Sequence, residues 1–155
     1  MILRSAILWM HVLSGVLWVG LCATFVLAAA ISSGRFSDSS AFDISVVAQI
    51  NRVCVLLALA IPLTGVANLF FVFRQYGHLS AQFVAIVLAK IGLLGLMSLA
   101  LGISLRAVRR LRPASSNRAA NSPQVANLRP IVAAYGVIVG AGIVALGLGL
   151  WLSGS

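Results

Sequence analysis

Acidic side chains are almost missing from this sequence. Its 155 residues include two acids, Asp38 and Asp43, and charged residues of both signs make up only 8%. A soluble domain averages roughly a quarter charged residues. Hydrophobic residues make up 61%, and the mean hydropathy is +1.10. The composition excludes an ordinary soluble domain and predicts an all-α integral membrane protein, a single four-helix bundle surrounded by lipid.

Cysteine is scarce, and the common soluble-enzyme motifs are missing. Cys22 and Cys54 have neither the spacing of a zinc site nor that of a Cys-x-x-Cys pair, so we interpret them as small buried side chains. The sequence has no phosphate-binding loop, no dinucleotide fingerprint and no Ser-His-Asp set. The net charge of +9 comes mainly from arginines beside apolar runs. This placement predicts topology signals and lipid-phosphate contacts rather than a nucleic-acid surface.

Four apolar runs are long enough to cross a bilayer, which takes about 20 residues in a helix. We predict spans at about residues 5–31, 44–73, 80–105 and 131–152, with a basic cytoplasmic surface loop at 106–130. The first run is longer than a signal-peptide core of about 7–15 residues and contains a histidine, so we interpret it as mature structure. Pro62 lacks a backbone donor and predicts a kink in the second span.

The arginines divide unequally between the two sides of the membrane. With four spans, both termini and the second loop share one side, and that side carries Arg4 and Arg74. The other side carries eight arginines: Arg35, Arg52, Arg106, Arg109, Arg110, Arg112, Arg118 and Arg129. Positively charged loops stay in the cytoplasm. We therefore expect both termini on the outer side, in a bacterial-type inner membrane.

Three polar side chains interrupt the predicted spans at similar depths. At about 1.5 Å of rise per residue, His11 lies roughly 9 Å, Asn68 roughly 8 Å and Lys90 roughly 15 Å from the outer end of its span. A lysine at mid-span costs about 2.5–3.5 kcal/mol on insertion scales and normally finds a partner. No predicted span contains a carboxylate. Lys90 must therefore be neutral, reach water, or pair with a group outside the chain.

Haem is a ligand that suits this set of residues. It is a flat macrocycle that accepts an imidazole on iron and has two propionates that need cations. His11 is the predicted axial ligand, and Lys90 is either a second metal ligand or a cation at the haem edge, with Asn68 at the same depth. Gly15, one turn from His11, leaves space for a flat group. The two outer arginines, Arg4 and Arg74, are candidates for the propionates.

Copper is the alternative ligand, since sulfur and imidazole ligands suit it. The candidate donors are Met10, His11, Met97, Cys22 and Cys54. Met10 and His11 are neighbours, however, and neighbours point about 100° apart on a helix of 3.6 residues per turn. The sequence also has no row of methionines at helical spacing, so the pattern favours haem over copper.

Several short motifs resemble a superfamily of small four-helix membrane proteins. They are HVLSGVLWVG, with His11 and Trp18, then LTG at 63–65, then YGH and LAK between Tyr76 and Lys90, followed by a basic stretch. The superfamily includes the copper-resistance D domain, the J-type protoporphyrinogen oxidase and the membrane N-terminal region of a cytochrome-linked urate oxidase. The resemblance covers nearly the whole chain.

The resemblance implies particular roles for two residues. In the J-type oxidase, a first-helix histidine and a third-helix lysine are required and are associated with b-type haem, and they match His11 and Lys90. That oxidase also has a Pro-Arg element after its Trp-x-x-Gly segment, where this chain reads LCATFVLAAA. The urate-oxidase relatives carry a cytochrome domain that this chain does not have.

Three functions remain open at this point. The first is a b-type haem protein with an electron-transfer or small oxidase role, acting alone, as a homo-oligomer or with a redox partner in the membrane. The second is a copper-handling membrane protein similar to the copper-resistance family. The third is a non-catalytic subunit of a larger membrane complex, in which Lys90 is paired across an interface.

Overall fold

A computed structural model of the chain describes residues 2–35, 44–77, 80–116 and 129–154. Four helices make up these ranges: α1 (Ile2–Arg35), α2 (Ile44–Tyr76), α3 (Ala81–Ser116) and α4 (Arg129–Gly154). Each contains a segment long and apolar enough to cross a membrane. Inside lipid a helix satisfies its own backbone hydrogen bonds, which explains why such runs adopt this form. The prediction of an all-helical membrane protein with four candidate spans is confirmed.

All four helices end later than the predicted spans. α3 continues to Ser116 and therefore includes the first part of the predicted loop 106–130. Arginine and leucine are good helix formers, so the helix has no local reason to stop where the apolar run ends. α2 runs through Pro62 without interruption. Residues 36–43 and 117–128, and His78, lie outside the described part of the chain.

The four helices pack in a ring. α1 contacts α2 and α4, and α3 contacts the same two helices, whereas the diagonal pairs make no comparable contact in the described ranges. α1 and α4 pack closely at Gly142, where an added Cβ would clash with the Val19 side chain. An added Cβ at Gly136 or Gly140 meets no atom within 4 Å. Gly142 is therefore the glycine that allows these two helices to pack closely.

Large side chains fill the middle of the ring. Trp18, Phe25, Tyr135 and Ile138 are buried there, and the Phe25 and Tyr135 rings meet edge to face, with centroids 4.9 Å apart. Edge-to-face pairs of aromatic rings are favourable beyond their buried area. Most other large apolar side chains are exposed on the outside of the ring, as expected of a surface that faces lipid rather than water.

Candidate cofactor site at the level of His11

His11 is half-buried on α1 and is held by α2. Its Nδ1 lies 3.0 Å from the Ile61 carbonyl oxygen and 3.0 Å from Thr64 Oγ1. The Thr64 hydroxyl itself donates to the carbonyl oxygens of Ala60, at 2.7 Å, and Ile61, at 3.1 Å. Carbonyl oxygens can only accept, so Nδ1 carries a proton and donates it.

The position of this proton decides what His11 can do. When Nδ1 donates to a backbone carbonyl, the other ring nitrogen of a neutral imidazole, Nε2, keeps its lone pair. Histidines that bind metals in proteins almost always have such a partner, which fixes the tautomer and the orientation of the ring. The contact with Ile61 therefore prepares Nε2 of His11 to act as a ligand.

A glycine makes room for the His11 ring. A Cβ added to Gly65 would lie 3.2 Å from Cε1 of His11 and 3.6 Å from its Nδ1. The absence of a side chain at Gly65 thus lets the imidazole lie against the α2 backbone. Thr64 and Gly65 belong to the LTG segment, which the sequence analysis used only as a mark of resemblance. The structure gives both residues a physical role, in holding and seating the histidine.

Lys90 lies on α3 and packs against α4. Its Nζ is 3.1 Å from the position of a Cβ added to Gly149. No carboxylate side chain belongs to the described part of the chain, because Asp38 and Asp43 both lie in 36–43. Lys90 therefore lies between α3 and α4, whereas His11 lies between α1 and α2.

Independent contacts place His11 and Lys90 at the same level of the ring. Val19 of α1 meets Gly142 of α4, which fixes the register of these antiparallel helices. His11 precedes Val19 by eight residues, or roughly 12 Å, and Gly149 follows Gly142 by seven, or roughly 10 Å. Lys90 contacts Gly149. We call this layer, which contains His11, Thr64, Gly65, Lys90 and Gly149, the His11 level.

Asn68 lies one turn along α2 from Thr64. Its Nδ2 is buried and has no hydrogen-bond partner. A buried amide donor without a partner is costly, and each such group in a native structure calls for an explanation. A ligand with an acceptor atom between the helices would supply the partner. Trp18 Nε1 and Asn51 Nδ2, further along the bundle, are buried without a partner in the same way.

Arg4 and Arg74 lie at the same end of the bundle, beyond Asn68. The Arg4 guanidinium donates to Gln75 Oε1, which joins α1 to α2. The Arg74 guanidinium carbon lies 5.7 Å from the centroid of the Phe70 ring, within the range of a cation–π contact. Both side chains are exposed. They are positioned at the rim of the His11 level and not inside it.

Gly15 borders open space. A Cβ added there would meet no atom within 4 Å. The neighbouring Ser14 hydroxyl donates a hydrogen bond to the Met10 carbonyl oxygen, at 2.7 Å. The interpretation that Gly15 leaves room beside His11 agrees with this geometry, although the helix surface there also faces outward.

The sulfur atoms considered for copper do not gather at His11. Met10 is exposed, whereas Met97, Cys22 and Cys54 belong to the buried core further along the bundle. Within the described ranges, no three His, Cys, Asp or Glu side chains converge on a point that could hold a metal ion. A protein site for haem differs in this respect, because the porphyrin supplies four nitrogens and the chain adds one or two ligands.

A second polar cluster lies nearer the other end of the bundle. Oδ1 of Asn51 accepts from Ser104 Oγ at 3.1 Å and from Tyr135 Oη at 2.8 Å. These three residues, which we call the Asn51 cluster, join α2, α3 and α4, and all are buried. Nothing in the sequence alone marks these three residues as a group. Their positions on three helices become a pattern only once the register of the bundle is known.

Comparison with known proteins adds no relative to this picture, since no family model, no curated protein and no solved structure matches the chain.

Proposed function

We propose that the chain binds one b-type haem between its helices at the His11 level and has a redox role, in electron transfer or a small oxidase reaction. The observation that carries the proposal is the hydrogen bond from Nδ1 of His11 to the Ile61 carbonyl, which leaves Nε2 available for iron. The motifs shared with the superfamily of the J-type oxidase support the same assignment.

The residues at this level fit a haem. Nε2 of His11 would bind the iron, and Lys90 would be a second ligand or a cation beside the macrocycle. The orphaned Nδ2 of Asn68 is a donor at the edge of the same space. Arg4 and Arg74, at the rim, pair with the propionates, since guanidinium groups bind carboxylates through several donors at once. When bound, the haem supplies one-electron chemistry that no side chain of this protein provides.

The chain's own residues orient the cofactor and set its surroundings. Ile61 and Thr64 hold the His11 ring in one tautomer, and Gly65 allows the ring to lie close to α2. The apolar helices exclude water from this layer, which raises the influence of the nearby Lys90 charge. In a bacterial-type inner membrane with both termini outside, the site lies in the outer half of the bilayer, where a redox partner can approach.

An absorption spectrum of the purified protein tests the proposal. We expect a Soret band and reduced α and β bands in the wild type, with about one haem per chain. His11→Gly should lose the haem, and added imidazole should restore it, because the free base can occupy the vacated ligand position. Val12→Ala is the matched control, since it shortens an exposed neighbour and should leave the spectrum unchanged.

Two results would contradict the proposal. One is a purified wild type without porphyrin that also fails to take up added haem. The other is a His11→Gly protein whose spectrum and haem content match the wild type. Metal analysis of the same samples distinguishes haem iron from copper. Copper without porphyrin would support the alternative of a copper-handling membrane protein.

A further inference from the structure

Four exposed arginines lie on α2 and α3, at the end of the bundle that holds the Asn51 cluster. They are Arg52, Arg106, Arg109 and Arg110, and we call them the arginine group. None of them belongs to the His11 level. The haem proposed there therefore gives the arginine group no role.

The hydrogen bond between Asn51 and Ser104 brings α2 and α3 together at this end and helps to locate Arg52. Consecutive residues on a helix point about 100° apart, so Ile50 and Arg52 flank the buried Asn51 on opposite sides. Ile50 lines a cleft that α2 forms with Leu21 of α1. Arg52 therefore lies on the other flank of α2, which faces α3, its second neighbour in the ring.

Arg109 lies on the flank of α3 that faces α2. Because α1 and α3 run in the same direction, equivalent flanks of these two helices face the preceding helix around the ring. On α1, Val19 follows the buried Trp18 and meets α4. On α3, Arg109 follows the buried Val108 in the same way and turns towards α2. Arg52 and Arg109 thus border one groove, roughly 9 Å apart along the bundle axis when counted from the hydrogen bond that joins α2 to α3.

Arg106 and Arg110 lie on the outer surface of α3. Arg106 is two residues from both Ser104 and Val108, which are buried, and two residues turn a helix by about 200°. Arg110 follows Arg106 by four residues and shares its face. The arginine group thus forms two pairs, one in the groove between α2 and α3 and one on the outward side of α3.

The arginine group lies at the depth of lipid headgroups. The candidate membrane spans of α2 and α3 are Val46–Gln75 and Ala81–Arg110. From the middle of its span, Arg52 lies roughly 13 Å, Arg106 roughly 16 Å and Arg110 roughly 22 Å along the helix axis. With each span centred in the bilayer, the hydrocarbon ends about 15 Å from the centre and the headgroup region about 20–22 Å from it. The guanidinium groups are therefore within reach of lipid phosphates.

The positive charge of the arginine group has no counterpart among the described residues. Asp38 and Asp43 are the only acids of the sequence, and both lie outside the described ranges. They can neutralise at most two of the eight arginines that the sequence places on this side. Like charges four residues apart on a helix, as at Arg106 and Arg110, are destabilising. An anion shared between the arginines relieves this repulsion.

We propose that the arginine group binds one anionic phospholipid whose headgroup carries two phosphates. One phosphate lies in the groove, between Arg52 and Arg109, and the other contacts the outward pair, Arg106 and Arg110. Guanidinium groups bind phosphate through two parallel hydrogen bonds, and basic pockets between membrane helices bind such headgroups. The acyl chains lie along exposed apolar side chains nearer the middle of the bilayer, such as Leu59.

The test is native mass spectrometry of the protein in detergent, titrated with defined lipids. We expect about one cardiolipin per chain, bound about 25-fold more tightly than phosphatidylglycerol, whose single phosphate contacts only one pair of arginines. Arg52→Gln and Arg109→Gln should each weaken cardiolipin binding about fivefold, because each removes one cation at the membrane surface. Arg74→Gln is the matched control, since it removes the same charge at the opposite end of the bundle and should leave the affinity unchanged. All three positions are exposed, so the fold should tolerate each change.

A second measurement uses the wild type alone. Cardiolipin should raise the temperature of thermal unfolding in detergent more than the same amount of phosphatidylglycerol does, and added salt should reduce the difference, because salt screens exposed charges. The proposal is overturned if neither lipid is retained, if the two lipids bind or stabilise equally, or if Arg52→Gln and Arg109→Gln bind cardiolipin as the wild type does. It is also overturned if Arg74→Gln weakens binding as much as they do, since binding would then reflect net charge alone. None of these outcomes depends on haem.

Discussion

The His11 level and the Asn51 cluster are both polar layers inside one apolar bundle, yet their hydrogen bonding differs. The Asn51 side-chain oxygen receives two donors, from Ser104 and Tyr135, and every member of the cluster is buried. At the His11 level, His11 and Lys90 are half-buried, and the Asn68 amide nitrogen has no partner. The Asn51 amide nitrogen has no partner either, so the layers differ in that the first joins three helices through one shared acceptor, whereas the second holds an imidazole and an amine that do not pair with each other.

The comparison distinguishes polar side chains that join helices from polar side chains that are available to a ligand. A buried network that satisfies its acceptors ties helices together and fixes their register. At the His11 level, the imidazole, the amine and the unpaired amide would contribute to stability mainly through a bound ligand. Polar residues inside a membrane are expensive, and the haem proposed above would give those of the His11 level a partner.

The largest effect should come from breaking the Asn51 cluster. Asn51→Leu removes the acceptor shared by Ser104 and Tyr135, leaving two buried hydroxyls without it. Each unsatisfied buried group costs about 1–3 kcal/mol, so we expect a loss of about 2–4 kcal/mol in unfolding free energy. Thermal unfolding in detergent micelles measures it. The matched exposed change Gln49→Leu should have little effect, and equal stability of the Asn51 variant and the wild type would refute the structural role.

A smaller effect should follow from crowding the open layer. Gly65→Val places a branched side chain against His11, whose ring lies 3.2 Å from the position of an added Cβ. Overpacking of this kind costs about 1–3 kcal/mol, or roughly 5- to 150-fold in haem affinity if it acts on the bound state. The measurement is haem titration followed by the Soret band.

Gly20→Val is the control for that substitution. It changes another α-helical glycine, but an added Cβ there meets no atom within 4 Å. The seating of His11 against Gly65 is refuted if both valine variants bind haem with the wild-type affinity, or if both lose it equally.

The smallest effect should come from the rim. Arg4→Gln removes a charge that would pair with a propionate of the proposed haem. Exposed charge pairs contribute about 0.2–1 kcal/mol, so haem affinity should fall by less than about fivefold. The decrease should shrink further at high salt, because salt screens exposed charges. A loss as large as that of His11→Gly would show that Arg4 belongs to the layer itself rather than to its rim.

The sequence was enough to predict the helices, but not the contacts between them. Long apolar runs predict four membrane helices because the bilayer permits few alternatives. The rise per residue was enough to place His11 and Lys90 at comparable depths. Both inferences use only the spacing of residues along a single helix, and this spacing can be read directly from the sequence.

Contacts between helices depend on register and rotation, which the sequence does not display. Thr64 and Gly149 look like ordinary small residues until α1 and α3 bring His11 and Lys90 against them. Ser104 and Tyr135 are ordinary residues in an apolar helix, and their common acceptor is on another helix. The two cysteines are likewise 32 residues apart along the chain, yet their sulfur atoms are 3.9 Å apart.

The aromatic filling of the ring near the Asn51 cluster has a consequence for biogenesis. Trp18, Phe25 and Tyr135 let the helices assemble at that end with side chains of the chain alone. The bundle can therefore pack in the membrane before any cofactor binds, and the haem proposed above would be added afterwards from the lipid phase. Newly made protein in a cell starved of porphyrin should accumulate as an inserted apoprotein, ready to mature, instead of being degraded.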